Sequence, residues 1–555
     1  MANARGNTVG NYLIKRLEQA GLKHIFGVPG DYVLRFFDCL EKSHIKVICT
    51  CNELNAGYAA DAYARGNGVG AVCVTYGVGG FSLFNAAVGA FAERVPMIII
   101  SGGPNLNERK YHHLLHHTIG DMNLQFDIYE KITAAAVILT NPKQAPQQID
   151  ETISACLRYR RPVYIEIPVD MVSEPCDEPA EFRVNISIAS DKDSLQEALN
   201  EAAVMLAGAK TPAILTGVEP HRLGIRPQLQ KFIDHCGYPF ATTLLGKAVL
   251  PEQHPQFSGV YNGGIGSESA RYIIEEADVL LSLGALMTDV NLGIGTAKLD
   301  ASKMIVANSD NVRIKHHIYN NVSLEDFING LFEKLPRGQF DTSRFIHPSC
   351  ECKKEFSIVP EQKITIKRFY QRINRFIDKN NIIVSDTGDS LFCSAELFLP
   401  EGLEYIGQAF YLSIGYSIPA CLGINLSLPK HRPVVFVGDG AFQMTAQELS
   451  TIIRNKLNPI IFLMNNDGYT IERVLNDGAY NDINMWKYHL MPEVFGDGWG
   501  CEVKTEGDLE EALNKAKEKS DLTVLIEVRL DKWECSESLK KLGQAFNPKA
   551  EITGF

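Results

Sequence analysis

The chain has 555 residues, 45% hydrophobic and 22% charged, the composition of a globular protein of three or four domains. A formal net charge of −12 argues against nucleic acid or an anionic membrane surface as a general partner. No apolar run approaches the ~20 residues that span a bilayer, and the opening MANARGNTVGNYL holds no apolar core of a signal peptide.

In chain order, short apolar runs alternate with helical patterns. Strands are predicted over residues 24–28, 46–51, 70–76, 96–101 and 162–167, with helices beginning near Thr8, Tyr32, Glu53, Phe81 and Ala145. That alternation predicts a mostly parallel sheet covered by helices on both faces. Residues 168–191, broken by Pro168, Pro175 and Pro179 and rich in acids, read as a linker. A second α/β block carries strands over 213–217, 279–283 and 304–308. After a polar stretch, 336–362, a third carries strands over 382–385, 433–437, 460–464 and 524–528. The expected fold class is α/β, with three tandem α/β domains of mostly parallel sheets over residues 1–180, 190–340 and 355–555. Thirteen scattered cysteines form two C-x-C pairs, Cys49/Cys51 and Cys350/Cys352, and no C-x-x-C. Free thiols and a cytoplasmic address are therefore expected, rather than zinc or disulfides.

The chemistry concentrates in the third block. One predicted strand ends in Gly438-Asp439-Gly440, and the next ends in Asn465-Asn466-Asp467-Gly468. Between them Thr445 and Glu448 stand at capping-box spacing, which predicts that the intervening helix opens at Thr445. A strand–helix–strand unit of this kind places Asp439 and Asn466 at the carboxyl ends of neighbouring parallel strands, where open α/β sheets bind ligands. A carboxylate and an amide oxygen, flanked by glycines, make a hard-oxygen site suited to Mg²⁺, with phosphate oxygens completing its shell.

In the first block, Gly27-Val28-Pro29-Gly30-Asp31 puts a carboxylate just past a strand, either as a helix cap or as a functional group. Glu53 also follows a strand, where it can complement the helix dipole. Its Ala/Gly-rich surroundings alternatively predict a packed carboxylate whose pKa burial would raise. The run Tyr111-His112-His113-Leu114-Leu115-His116-His117 carries histidines at i, i+4, which on a helix could hold a transition metal or simply be solvated or core residues.

Taken together, Glu53 within NELNAGYAADAYAR, GVPGDY, the tandem His116-His117, GDG followed by NN, and Gly468-Tyr469-Thr470-Ile471-Glu472 resemble one family. It is the thiamine diphosphate-dependent 2-oxo acid decarboxylases, which act on pyruvate, indolepyruvate, phenylpyruvate or branched-chain oxo acids. The resemblance covers essentially the whole chain. It implies an N-terminal pyrimidine-binding domain, a central domain and a C-terminal diphosphate-binding domain, working as a homodimer at minimum and usually as a homotetramer. Asp439, Asn466 and the Gly468 carbonyl match the Mg²⁺ ligands. Asp389, Leu412, Ser413, Gly438, Gly440, Ala441, Asn466, Gly468, Tyr469, Thr470 and Ile471 match positions that hold thiamine diphosphate. Ile414 matches the large apolar residue that bends the cofactor. Most relatives carry glycine at Leu412, where the implied contact runs through the backbone carbonyl. Glu53 matches the carboxylate that governs the cofactor's pyrimidine, while Asp31, His117 and Glu472, with His116 beside them, match proton-transfer and substrate-contacting groups.

The same resemblance bears on the substrate. Family members that prefer pyruvate carry bulky aromatics where this chain has Val290 and Leu391, and Ile471, Leu475, Trp486, Leu542 and Phe546 match other pocket positions. The implied substrate is a medium-sized branched-chain or aromatic 2-oxo acid. Pyruvate decarboxylation by the same mechanism is the alternative. An acetolactate synthase-type carboligase shares GDG…NN and Glu53 but lacks the tandem histidines, and a silent scaffold would not keep every acid and ligand. The stretch 215–222 has no cysteine matching the proposed substrate sensor of yeast-type pyruvate decarboxylases, and Cys236 lies too far along, so non-sigmoidal kinetics is expected.

Overall fold

A computed structural model describes residues 7–111, 113–177, 188–339, 341–352 and 354–546. His112 and residues 178–187 of the predicted linker lie outside the described residues. The strands are β1 (His24–Gly27), β2 (Lys46–Cys49), β3 (Gly70–Val74), β4 (Met97–Gly103), β5 (Ala136–Ile138) and β6 (Val163–Pro168) in the first sheet. The second holds β7 (Ala213–Thr216), β8 (Phe240–Thr243), β9 (Phe257–Tyr261), β10 (Leu280–Leu283), β11 (Met304–Ala307), β12 (Asn311–Ile314) and β13 (His317–Asn320). The third holds β14 (Asn381–Ser385), β15 (Glu404–Gly407), β16 (Arg432–Gly438), β17 (Ile460–Asn465), β18 (Trp499–Val503) and β19 (Val524–Arg529).

Strand orders are β2-β1-β3-β4-β6-β5, β13-β12-β11-β10-β7-β8-β9 and β15-β14-β16-β17-β19-β18. The first and third sheets are parallel throughout. The second turns antiparallel only across β11, β12 and β13. The fold is therefore α/β with three mostly parallel sheets. Every residue of β3, β4, β6, β14 and β17 is buried, as strands covered on both faces must be, which is why each reads as a mainly apolar run, interrupted in β6 by the buried Glu166. Edge strands such as β13 and β18 are mostly exposed or half-exposed, carry no such run, and escape prediction together with β5, β8, β9, β12 and β15.

By backbone contacts the chain divides into two compact units. One comprises Met1–Ser187, Ile418–Lys430 and Thr445–Leu457; the other comprises Ile188–Ser417, His431–Met444 and Asn458–Phe555. Two stretches from the third sequence block thus belong with the first sheet. Within that unit Gly423 lies so close to the helix Glu53–Asn67 that a Cβ would sit 1.9 Å from the Ala59 carbonyl oxygen.

The predicted helix start at Thr445 is corrected. The helix begins at Asp439, directly off β16, and runs to Thr445, where a 3₁₀ turn, Ala446–Glu448, follows. Thr445 makes no side-chain cap. Glu448 is instead fully buried and accepts from the Cys51 amide at 3.1 Å and from Asn55 Nδ2 at 2.7 Å. Local spacing suggested a cap, but a distant donor pair claimed the carboxylate. The twelve cysteines whose side chains are described, all but Cys352, are free thiols. Among the described residues no helix is long and apolar enough to cross a membrane.

Candidate active site

In the second unit, β16 and β17 pair in parallel with Gly438 opposite Met464, so their carboxyl ends lie side by side. Asp439 opens the helix after β16 and is buried. Its Oδ1 accepts from the Gly440 amide at 2.8 Å and its Oδ2 from the Gly468 amide at 2.9 Å, a bond that ties the two strand ends together. Burial pushes the Asp439 carboxyl up to about 7, assisted by nearby Asp467 and opposed by those two amides and by Arg473.

Asn466 follows β17 and is buried. The chain then reverses through Asp467 (φ +62°) and Gly468 (φ +125°). A Cβ at Gly468 would meet the Asn481 carbonyl oxygen at 2.3 Å, so only glycine fits both the backbone and the space. Arg473 holds this loop by donating to the carbonyls of Asn466 (3.0 Å) and Asp467 and to Asp482 (2.8 Å). Tyr469 lies over Gly440, where a Cβ would be 2.4 Å from the ring. Thr470 and Ile471 open the short helix Thr470–Leu475, whose first turn carries the exposed Glu472. Ala441 is buried behind Asp439. A buried carboxylate without a neutralising partner of full strength, an adjacent amide side chain and a loop carbonyl form an oxygen donor set that fits a hard divalent cation.

Asp389 starts the helix Asp389–Ala395 and accepts from the Ser536 amide (2.8 Å) and hydroxyl. Burial raises its pKa against those bonds. Leu412 takes a left-handed conformation, φ +56°. Beside it, the Ser413 amide donates to Gln408 Oε1 at 3.1 Å, while Gln408 Nε2 is buried with no protein partner. Ile414 is half-buried. Asp386, which sequence reasoning missed, binds this loop to the end of β14. It accepts from the amides of Thr387, Gly415 and Ser417 at 2.8–2.9 Å, and burial raises its carboxyl to about 6 in spite of them. Its signal was its place two residues past an apolar run, after one small residue (Ser385), the same position that Asp439 takes after Gly438.

Of the predicted pocket residues, Val290, Leu391 and Leu542 are buried in one apolar cluster, with Leu412 and Ile471 packed against it. Leu475, Trp486 and Phe546 are not part of that cluster. Trp486 is 38% exposed and tilts against Tyr488, and Phe546 is 50% exposed.

In the first unit, Asp31 follows β1 but does not cap a helix, because the next one begins only at Leu34. Its Oδ2 lies 2.5 Å from His116 Nε2, and its Oδ1 lies 4.0 Å from His117 Nδ1. Tyr32 stacks on the His116 ring at 5.0 Å, and the two histidine rings meet edge to face at 4.7 Å. Desolvation works to raise the Asp31 pKa, but the His116 hydrogen bond and the two imidazoles hold it below the ordinary carboxylate value. Of that run, His113, His116 and His117 are not helical: the helix Leu106–Lys110 ends before them, and His117 has φ +64°. Gly77 supports that turn, since a Cβ there would lie 2.0 Å from the His117 carbonyl oxygen. A histidine ladder on one helix face is thus ruled out for His116 and His117; their grouping depends on the loop.

Glu53 occupies the first turn of Glu53–Asn67, capped by Asn52 Oδ1, which accepts from the Asn55 amide at 2.8 Å. The helix is buried from Asn55 to Arg65, yet Glu53 itself is only half-buried, with Oε1 placed 3.5 Å from where a Cβ on Gly79 would stand. The expected packed surroundings are present; full burial of the carboxylate is not. Glu448 anchors the turn that carries it, through Cys51 and Asn55.

Mostly parallel sheets with acids just past their strands, one of them beside further oxygen donors, are the arrangement of a cofactor-dependent α/β enzyme. Three family models match the chain in order: the thiamine pyrophosphate enzyme N-terminal TPP binding domain over residues 7–125, the central domain over 199–335 and the C-terminal TPP binding domain over 386–528. The chain is 35% identical to a probable pyruvate decarboxylase of Schizosaccharomyces pombe, over 97% of this chain and 95% of that one. It is 35% identical to pyruvate decarboxylase 3 of Arabidopsis thaliana, over 97% and 93%, and 34% identical to an alpha-keto-acid decarboxylase of Mycobacterium avium, over 98% and 97%. The chain belongs to the thiamine diphosphate-dependent 2-oxo acid decarboxylases.

Proposed function

We propose that this enzyme converts a medium-sized branched-chain or aromatic 2-oxo acid to the aldehyde and CO₂, with Mg²⁺ accompanying thiamine diphosphate. The observation that supports the size assignment is that the pocket positions Val290, Leu391 and Leu542 are all aliphatic and share one apolar cluster, to which Phe392 also belongs and against which Tyr405 packs. Thiamine diphosphate, when bound, supplies the electron sink for loss of CO₂. The Asp439 carboxylate, the Asn466 amide and the Gly468 carbonyl hold Mg²⁺; Asp389, Gly438, Gly440, Ala441, the 412–414 loop and residues 469–471 hold the cofactor. Glu53 holds a proton at the pyrimidine. Asp31, His116, His117 and Glu472 hold or move protons at the substrate and product. The domain limits 1–180, 190–340 and 355–555, a cytoplasmic address, and a homodimer at minimum, doubled to a homotetramer, belong to the same reading.

A second reading, pyruvate as preferred substrate, is favoured by two observations. Val290 and Leu391 are themselves buried, so their small size is partly taken up by neighbours. Relatives from Schizosaccharomyces pombe and Arabidopsis thaliana bear the name pyruvate decarboxylase. Aldehyde release from pyruvate, 4-methyl-2-oxopentanoate, phenylpyruvate and indolepyruvate, with thiamine diphosphate and with or without Mg²⁺, separates the two. Highest kcat/KM on a larger acid supports the first reading, and pyruvate ranking first selects the second.

A further inference from the structure

Ten non-glycine residues among those described have positive φ. Most are polar or charged residues of the kind that ends helices or turns chains; Arg160, for example, caps the helix Ala145–Tyr159. Two carry large apolar side chains, Ile294 at φ +53° and Leu412 at φ +56°. A left-handed backbone presses Cβ against the following carbonyl, and a β-branched residue there is an outlier. Were only the turn needed, glycine or asparagine would serve.

These two strained residues, 118 positions apart in a chain of 555, pack against the same apolar cluster, the one that holds Val290, Leu391 and Leu542. Each is half-buried, so part of each side chain lies on the open rim of that cluster rather than inside it. Both conformations are held by neighbours. The Ile294 amide donates to the Asp289 carbonyl at 2.8 Å, between Gly293 and Gly295, which are also left-handed. The Leu412 loop hangs from Gln408 and from Asp386, through Ser413 and Gly415. Residues held in strained conformations by over-determined surroundings cluster at ligand clamps.

We propose that Leu412 and Ile294 are specificity-determining residues whose side chains close the pocket around the hydrocarbon end of the 2-oxo acid and set its upper size. The assignment rests on the pocket location given under Proposed function. Its mechanism is steric: each side chain occupies rim volume that a longer substrate would need, and shrinking either one frees that volume.

The test compares kcat/KM for 4-methyl-2-oxopentanoate and for pyruvate in the wild-type enzyme and in Leu412→Gly, Leu412→Ala and Ile294→Gly. The ratio does not depend on the fraction of folded enzyme, so a partly misfolded variant still reports. The expected result is a shift of about tenfold toward the larger acid, carried mainly by KM, as the loss of a methyl-sized contact or clash in an apolar pocket produces. In cofactor-free protein Leu412→Gly melts above Leu412→Ala, because glycine removes the left-handed strain that alanine retains. A ratio within twofold of wild type in active variants overturns the proposal and leaves these side chains as packing alone. Complete loss of turnover in Ile294→Gly also overturns it, since a side chain that only limits size is dispensable for the chemistry; loss of turnover in both Leu412 variants removes Leu412 from the assignment, because its loop also holds the cofactor. If wild-type enzyme decarboxylates neither acid, the decarboxylase reading falls and takes this assignment with it.

Discussion

At the scale of single residues, each assigned role makes a separable demand. Glu53 is half-buried in a first helical turn, so Glu53→Gln is expected to change stability by under ~1 kcal/mol. The same substitution removes a proton from the pyrimidine site and lowers kcat by about 10²–10⁴-fold; steady-state kinetics beside denaturant unfolding checks both halves. Asp439→Ala deletes a buried carboxylate whose raised pKa marks it as costly to keep charged without a cation. Calorimetric titration of thiamine diphosphate should then lose its dependence on Mg²⁺, and retention of that dependence would remove Asp439 from the ligand set. Asp439 and Asn466 were legible as strand-end residues because a carboxylate or amide that follows an apolar run and stands near a turn glycine keeps a sequence signature. Asp386 and Glu448 were not, because their partners, three amides of one loop and the Cys51–Asn55 turn, are assembled only by folding.

Elements make their own prediction through Glu404 on β15. Its carboxylate takes Arg226 Nη1 at 2.6 Å and stands 3.5 Å from His221 Nε2, both on helical segments after β7. Desolvation works to raise its pKa, but His221 and Arg226 hold it down at about 2, against 4.5 for an ordinary glutamate. A depressed carboxylate contributes stability above its unfolded value and loses it as pH falls through its folded one. This group should therefore contribute up to about 3 kcal/mol above pH ~4.5, lost progressively toward pH ~2. Urea unfolding across that window should show the slope in wild type and a flatter profile in Glu404→Gln; equal slopes would dismiss the ion pair as an acid-sensitive element. Central strands were readable at this scale because double burial demands continuous apolar runs, as in β3, β4 and β17. Edge strands such as β13 and β18 have one neighbour and open surface, so no pattern marks them.

For the whole molecule, two expectations are measurable without any substitution. Sedimentation in the presence of cofactor should give a dimer or tetramer mass, and a stable monomer with full activity would refute the oligomeric reading. Initial velocity against substrate should be hyperbolic, since 215–222 holds no cysteine and Cys236 is buried with its thiol pKa pushed up to about 12 by desolvation. A sigmoidal curve would show that another group senses substrate.

By itself the sequence determined the α/β class, the order of three similar blocks and the strand-end acids, because each depends on patterns within some 30 residues: alternating apolar runs, turn glycines and capping residues. The tertiary structure alone decided what those patterns meet. It moved the helix start from Thr445 to Asp439, left His116 and His117 outside any helix with His116 on Asp31, and grouped 418–430 and 445–457 with the first sheet. It gathered Ile294 and Leu412 at one apolar rim while leaving Leu475, Trp486 and Phe546 outside that cluster. The physical reason is common to all of these: hydrogen-bond partners and packing neighbours hundreds of residues apart are chosen by burial of the whole chain, and local spacing carries no record of that choice.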